Sequence, residues 1–214
     1  MEFVTPPLRR VVLRNGPAGV GGALEYAGAQ GCYLDAKTPA AVTPKQPSRL
    51  SVRAHAREPR VILLRFTDIP TTGTLRRATL EMTTDPSLQA DPGLLQELAA
   101  VAISCNSIRD DWDPATATFT DAAAGKPWGA NELIAGGTFH SKAGIQLTIR
   151  ERRTLSWDVT EAVRAARQSG KTAISLLVRI DYTGKYVDNL GYEFCGHDFP
   201  RVEKRPRLRL DVAP

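Results

Sequence analysis

The stretch RVILLRFTDIPTTGTLRRATLEMTT (Arg60–Thr84) holds two kinds of strand. Its first part, Arg60 to Phe66, is apolar on both faces of an extended chain, which suits a central strand covered on both sides. Its second part alternates Ala78, Leu80 and Met82 against Thr79, Glu81 and Thr83. A period of two predicts a half-buried strand with one wet face.

The same period extends outward in both directions. RRVVLRNG is a short apolar strand running into the turn pair Asn15-Gly16. GCYLDA is another extended piece, and ELAAVAISCNSI supplies a strand ending near Ile108. GIQLTIRE alternates Ile145, Leu147 and Ile149 with polar partners, and TAISLLVRIDY sets Ile174, Leu176, Val178 and Ile180 on one face. PRLRLDV alternates Leu208, Leu210 and Val212 with Arg207, Arg209 and Asp211, a closing strand with one wet face. One helix interrupts the strands. In WDVTEAVRAARQSG, Val159, Ala162, Val163 and Ala166 share a face, Asp158 or Thr160 caps the start, Asp158 and Glu161 form a capping box, and Gly170 ends it. TTDPSLQADPGLL reads as an inserted loop. Many short strands, turn residues between them and one short helix predict an all-β fold, an antiparallel β-sandwich or jelly roll. Residues 1–9 read as a flank and 10–214 as a single domain, since no repeat, low-complexity tract or linker divides them.

The chain has 214 residues and a net charge of +5. Its pI is near 9.3, which favours acidic partners. The arginines are spread along the sequence with no solid basic block, so a solvated basic surface is expected. The three cysteines, Cys32, Cys105 and Cys195, follow no metal-ligand spacing; one long-range disulfide is open to them, with its pairing unspecified. No apolar run is long enough to span a membrane, and the start MEFVTPPLRR shows no leader pattern.

DDWDPATATFTDAAAGKPWG (Asp110–Gly129) gathers four acids and two tryptophans. Asp110, Asp111, Asp113 and Asp121 fail the EF-hand pattern, having no Gly at the sixth position and no closing Glu. A glycosidase pair needs carboxylates opposed across a cleft, which neighbours in one loop do not provide. The expectation is a loop leading into a strand TATFT, anchored by Trp112, Phe119 and Trp128, with the acids as turn-formers. Lys126 and Trp128, in the polar turn Lys-Pro-Trp-Gly, are the residues there placed to meet a ligand. FCGHD sets Cys195 beside His197 without the rest of a cysteine-hydrolase signature, and GPAGVGGAL lacks the strand-to-helix context of a phosphate loop. RIDYTGKYVDNLGYEF interleaves Tyr182, Tyr186 and Tyr192 with Arg179 and Lys185. Sugar rings stack on aromatic faces, and cations hydrogen-bond to hydroxyls and carboxylates. Together with Arg109, these make the candidate ligand-binding set. The other reading of the same tyrosines is half-packed loop residues.

The order of these pieces resembles the DNRLRE domain family, which is close to carbohydrate-binding module family 96 and to disaggregatase-related repeats. VVLRNG, YAGAQGCYLDA, LSV and RVILLRFTDIPTTGTLRRATLEM look like its start; DDWDPATATFTDAAAGKPWG is similar to its Trp segment with a Pro-Trp turn. LSWDVTEAVRAARQSGKTAISLLV resembles its Trp-x-Val-Thr helix and following strand, and FCGHDFPRVEKRPRLRLDV its closing strand. The likeness runs from about residue 10 to the end. Gly31-Cys32-Tyr33-Leu34 stands where the family has Asp-Thr-Tyr-Leu, and Gly196-His197-Asp198 where it has Ser-x-Glu. The resemblance implies a jelly-roll sandwich and a noncatalytic module, secreted or at the cell surface, often attached to a polysaccharide-degrading catalytic domain, with some members binding acidic polysaccharides. The expected partner is therefore an anionic polysaccharide, with no nucleic acid and no membrane insertion. No cofactor is required. A structural calcium ion is the one metal considered, with Asp35, Asp158 and Asp211 as oxygen donors; capping and surface roles explain the same residues. The rival expectations are a structural or adhesive module without a ligand and a freestanding polysaccharide lyase or hydrolase.

Overall fold

The computed structural model describes residues 7–17, 25–42, 47–55, 57–85, 101–129, 140–145, 154–181 and 190–214. Strands dominate, and they pack as antiparallel sheets. One sheet has the order β1-β13-β5-β10, formed by Arg9–Leu13, Arg207–Ala213, Thr74–Thr83 and Thr154–Asp158. The larger sheet runs β12-β3-β4-β11-β6-β9: Leu190–Cys195, Arg49–Ala54, Arg60–Phe66, Ile174–Ile180, Val101–Ile108 and His140–Ile145. β2 (Ala29–Asp35) also pairs with β4. The chain crosses repeatedly between the sheets, as in a jelly roll. A bridge from Thr84 to Phe194 joins the sheets at one edge. The Trp157 indole N–H donates to the Ile103 carbonyl at 2.8 Å, fastening β10 to β6. This is the expected all-β sandwich.

Alternation fills the space between the sheets. Ala78, Leu80 and Met82 on β5 and Leu208, Leu210 and Val212 on β13 face Ile62, Leu64 and Phe66 on β4 and Leu176 and Val178 on β11, all buried in one cluster. Val61, Leu63 and Leu177 point the other way, to the outer face of the larger sheet, and are buried as well. Their cover is the segment 110–129. Trp112, Ala117 and Ala122 are buried there, with Phe119 and Trp128 packed against them. The doubly apolar β4 is thus covered on both sides, as its sequence requires.

Two local expectations are corrected. TATFT is no strand: residues 114–116 form a turn and 119–120 a bend, and the extended pieces nearby are the short hairpin β7 (Asp121–Ala123) and β8 (Lys126–Pro127). Asp113 explains this, because its carboxylate takes the Ala115 N–H and the Thr116 hydroxyl and closes the turn. The capping box is not made either. The helix α1 (Thr160–Gln168) starts with Asp158 accepting the Thr160 N–H at 2.9 Å, while Glu161 pairs with Arg164. Its end is as expected: Gly170 has φ +72°, and Gly170 and Lys171 donate back to the Arg167 and Ala166 carbonyls, a Schellman motif. In GIQLTIRE, β9 ends at Ile145, and Leu147 and Ile149 lie outside the described residues.

Candidate functional site

The site begins with an irregularity in β5. Opposite Asp211 and Val212 of β13 stand Arg77 and Leu75, so Arg76 is an extra residue. A bulge of this kind shifts the alternation by one. Leu75 and Ala78, three apart, both enter the core, and the successive side chains Arg76 and Arg77 are both exposed. They stand at one end of a groove.

The groove runs beside α1 as two recesses of about 680 and 740 Å³. Ser107 and Ala162 line both, so the recesses adjoin. The first is walled by Arg76, Arg77, Asn106, Asp158, Thr160 and Arg164. The second is walled by Arg109, Asp110, Asp111, Lys171 and Thr172 over the small side chains Ala165, Ala166 and Ala173. Alanine on this face of α1 keeps the floor low. Thr160 locks the near end: its hydroxyl accepts the Ala78 N–H at 2.9 Å and lies 2.6 Å from the Asp158 carboxylate. Burial pushes the Asp158 carboxyl up, but the Thr160 hydroxyl and N–H and the charges of Arg77 and Arg164 outweigh it and hold it below its ordinary value. At the far end Arg65 is held in place, donating to the Trp112 carbonyl at 2.6 Å with its guanidinium 4.8 Å from the Trp112 ring.

The candidate ligand residues separate. Arg109 lines the groove, and its neighbour Asp110 accepts the Gly129 N–H, which ties the Lys126–Trp128 turn to the groove's far end. Lys126 is exposed there. Trp128 is half-buried, with its ring against the outer cluster and its N–H given to the Thr118 carbonyl at 3.0 Å. Arg179 lies elsewhere, on β11 opposite Ser104, 3.6 Å from Asp181. Tyr192 offers no ring to a ligand: it is buried in the main core, and burial pushes its hydroxyl up to about 12. Tyr182, Tyr186 and Lys185 lie outside the described residues. Arg76, Arg77, Asn106 and Lys171 were not singled out in sequence. The trace of the first two was two cations in succession inside an alternating strand.

The three acids considered for calcium are engaged separately. Asp35 takes Arg53 at 2.9 Å and Arg60 at 2.6 Å, Asp158 caps α1, and Asp211 takes Arg10 at 3.1 Å. Among the described residues, no group of three or more His, Cys, Asp or Glu side chains is placed to hold a metal ion. None of the three cysteines is in a disulfide. Burial pushes the Cys32 thiol up to about 12 and raises that of Cys105 too. Cys195 is fully buried, and burial lowers the His197 imidazole beside it.

No family model matches the chain, and no curated protein matches it. The groove therefore carries the functional argument through its own chemistry. Guanidinium and ammonium donors stand at both ends, hydroxyl and amide groups between them, and carboxylates on the rim. That set hydrogen-bonds to many hydroxyls and to anionic groups.

Proposed function

We propose that this domain is a noncatalytic carbohydrate-binding module that lays a segment of acidic polysaccharide along the groove beside α1. It works outside the cell, attached to or beside a polysaccharide-degrading enzyme or a cell surface, and is of the DNRLRE kind that the order of its sequence resembles. The observation that carries this reading is the bulge in β5, which exposes Arg76 and Arg77 together at one mouth of a groove whose other mouth holds Arg109 and Lys171. Two cationic ends with hydroxyls between them suit a short run of charged sugars. Binding of this kind raises the local concentration of a linked enzyme on its polymer.

Calorimetry with uronate trisaccharides tests the reading. Arg76→Ala with Arg77→Ala should weaken binding about tenfold, the loss of one to two charge-assisted hydrogen bonds. The melting temperature should hold, because both side chains are exposed. A wild-type domain that binds no uronate oligomer at millimolar concentration sinks the proposal. Shortening of the polymer by the purified domain would make it an enzyme instead. The burial of Tyr192 and the packing of Trp128 favour a ligand-free structural module as the second reading; under it, the arginine variants change nothing.

A further inference from the structure

The arginines that look scattered in sequence converge on the outer face of the smaller sheet. β1 and β13 come from opposite ends of the chain and pair antiparallel, with Arg10 opposite Asp211 and Val12 opposite Arg209. Val11 and Leu13 face the core, and Arg10 faces outward beside Arg207 and Arg209, while Arg14 is itself buried. A 3-10 turn at Val202–Lys204 extends the row with Arg201, Lys204 and Arg205. Arg205 ties that turn to the end of β1, donating to the Asn15 carbonyl at 3.0 Å and to the Phe199 carbonyl at 2.7 Å. Glycine is required at position 16, where a Cβ would lie 2.6 Å from a Val202 methyl.

The acids in this strip are Glu81, Glu203 and Asp211. Six cations with accessible side chains, Arg10, Arg201, Lys204, Arg205, Arg207 and Arg209, stand against these three acids, an excess of three, from a chain whose total is +5. The charges are also layered. Glu81 is 6% exposed and lies beneath Arg207 and Arg209, which keep 33% and 31% of their side chains accessible. Arg10 covers Asp211 and is 65% accessible. Glu81 and Asp211 lie low and the guanidinium tips of Arg10, Arg207 and Arg209 form the outer contour, while Glu203 is exposed in the turn.

We infer that this strip is a second polyanion-binding surface, apart from the groove, that holds the charged backbone of an acidic polysaccharide. Planar guanidinium forks match carboxylate and sulfate groups, and a row of them binds by charge density without reading sugar shape. A nucleic acid fits less well. The strip is the flat face of a sheet, and none of the residues that form it is aromatic, so bases have nothing to stack on. The strip captures polymer at long range, and the groove grips a short segment of it.

The test uses a triple variant, Arg10→Gln, Arg201→Gln and Lys204→Gln, which leaves the pairs to Glu81 intact. Binding of a polyuronate is measured across a salt series. The expected result is an affinity about tenfold lower at low salt, and a log–log salt slope shallower by about two, from the counterions no longer released. The same variant should bind a uronate trisaccharide as the wild type does, whereas the Arg76→Ala, Arg77→Ala variant should lose affinity for the trisaccharide. Failure of the groove reading therefore shows in the trisaccharide, and failure of the strip in the slope. Arg10→Lys with Arg201→Lys keeps the charge and should match the wild type, which guards against misfolding as the cause. A triple variant with the wild-type slope overturns the inference. So does single-stranded DNA binding as tightly as the polyuronate at matched charge.

Discussion

The outer faces of the two sheets are opposites. That of the larger sheet is apolar where β4 and β11 pass under residues 110–129, and Trp112 in that cover is 2% exposed. Among the described residues that of the smaller sheet carries no such apolar roof; arginines lie over the buried Glu81. Both arise from the same antiparallel pairing, so the difference is one of composition. β4 carries Val61 and Leu63 on its outward positions, and they demand cover. β13 carries Arg207 and Arg209 on its own, and their apolar stems and charged tips supply the cover and the wet surface at once. One face is closed over by apolar packing and the other keeps its charged tips in water.

Trp112 holds the roof in place. Its indole N–H donates to the Ser175 hydroxyl at 3.0 Å, its carbonyl takes Arg65, and its ring completes the outer cluster. If residues 110–129 are a structural roof, Trp112→Ala should cost about 3–5 kcal/mol in urea denaturation. Trp112→Phe should cost less, about 1–3 kcal/mol, keeping one aromatic ring but losing the rest of the indole and its hydrogen bond. A loss near zero for alanine would make the segment an optional loop and free its acids for a functional role.

The roof also shows where sequence reading succeeds and where it stops. That β4 is covered on both sides follows from its composition, and so do the inward residues of β5, β11 and β13, because alternation fixes orientation. Trp112 and Phe119 as anchors were legible for the same reason. The strand expected at TATFT was not there, because Asp113 closes a local turn through its own side chain and local hydrogen bonds outweighed strand propensity. The groove was illegible as a whole. It needs the end of β6, the face of α1 and a bulge in β5, three pieces whose proximity no local pattern encodes. Only the doublet Arg76-Arg77 hinted at it. The cationic strip was hidden likewise, since β1 and β13 are neighbours only after folding.

Glu81 sharpens the comparison from the other face. It accepts from Arg207 and lies 3.2 Å from Arg209, within a sheet position that is nearly closed to water. Glu81→Gln keeps the shape and removes the charge that holds both guanidiniums down. With the arginines about a third exposed, the expected cost is about 2–3 kcal/mol, short of that for a fully buried pair. Chemical denaturation reads it, and the polyuronate salt slope should steepen as the net charge of the strip rises. A neutral Glu81→Gln would mean that the face is an ordinary solvated one, with its arginines independent of one another.

The smallest effect belongs to the ion cluster of the larger sheet, at Asp35. Arg53 and Arg60 both reach its carboxylate, and Arg60 lies 5.0 Å from the Tyr33 ring. Burial alone pushes this carboxyl up, but the Arg60 hydrogen bond, the Lys37 N–H and the charges of Arg60 and Arg53 outweigh it and hold it below its ordinary value. A carboxyl lowered on folding stabilises the native state above its unfolded pKa, about 3.9, and that contribution drains away as pH falls through the folded value. Asp35→Asn should cost about 1–2 kcal/mol at neutral pH, since the cluster is only partly buried. The wild type should lose this margin below about pH 4, and the variant should show a flatter acid limb. Melting temperatures between pH 2.5 and 6 measure both limbs, with about 4 °C separating the proteins at the upper end and less at the lower. Curves that stay parallel would assign the acid sensitivity to carboxylates other than Asp35.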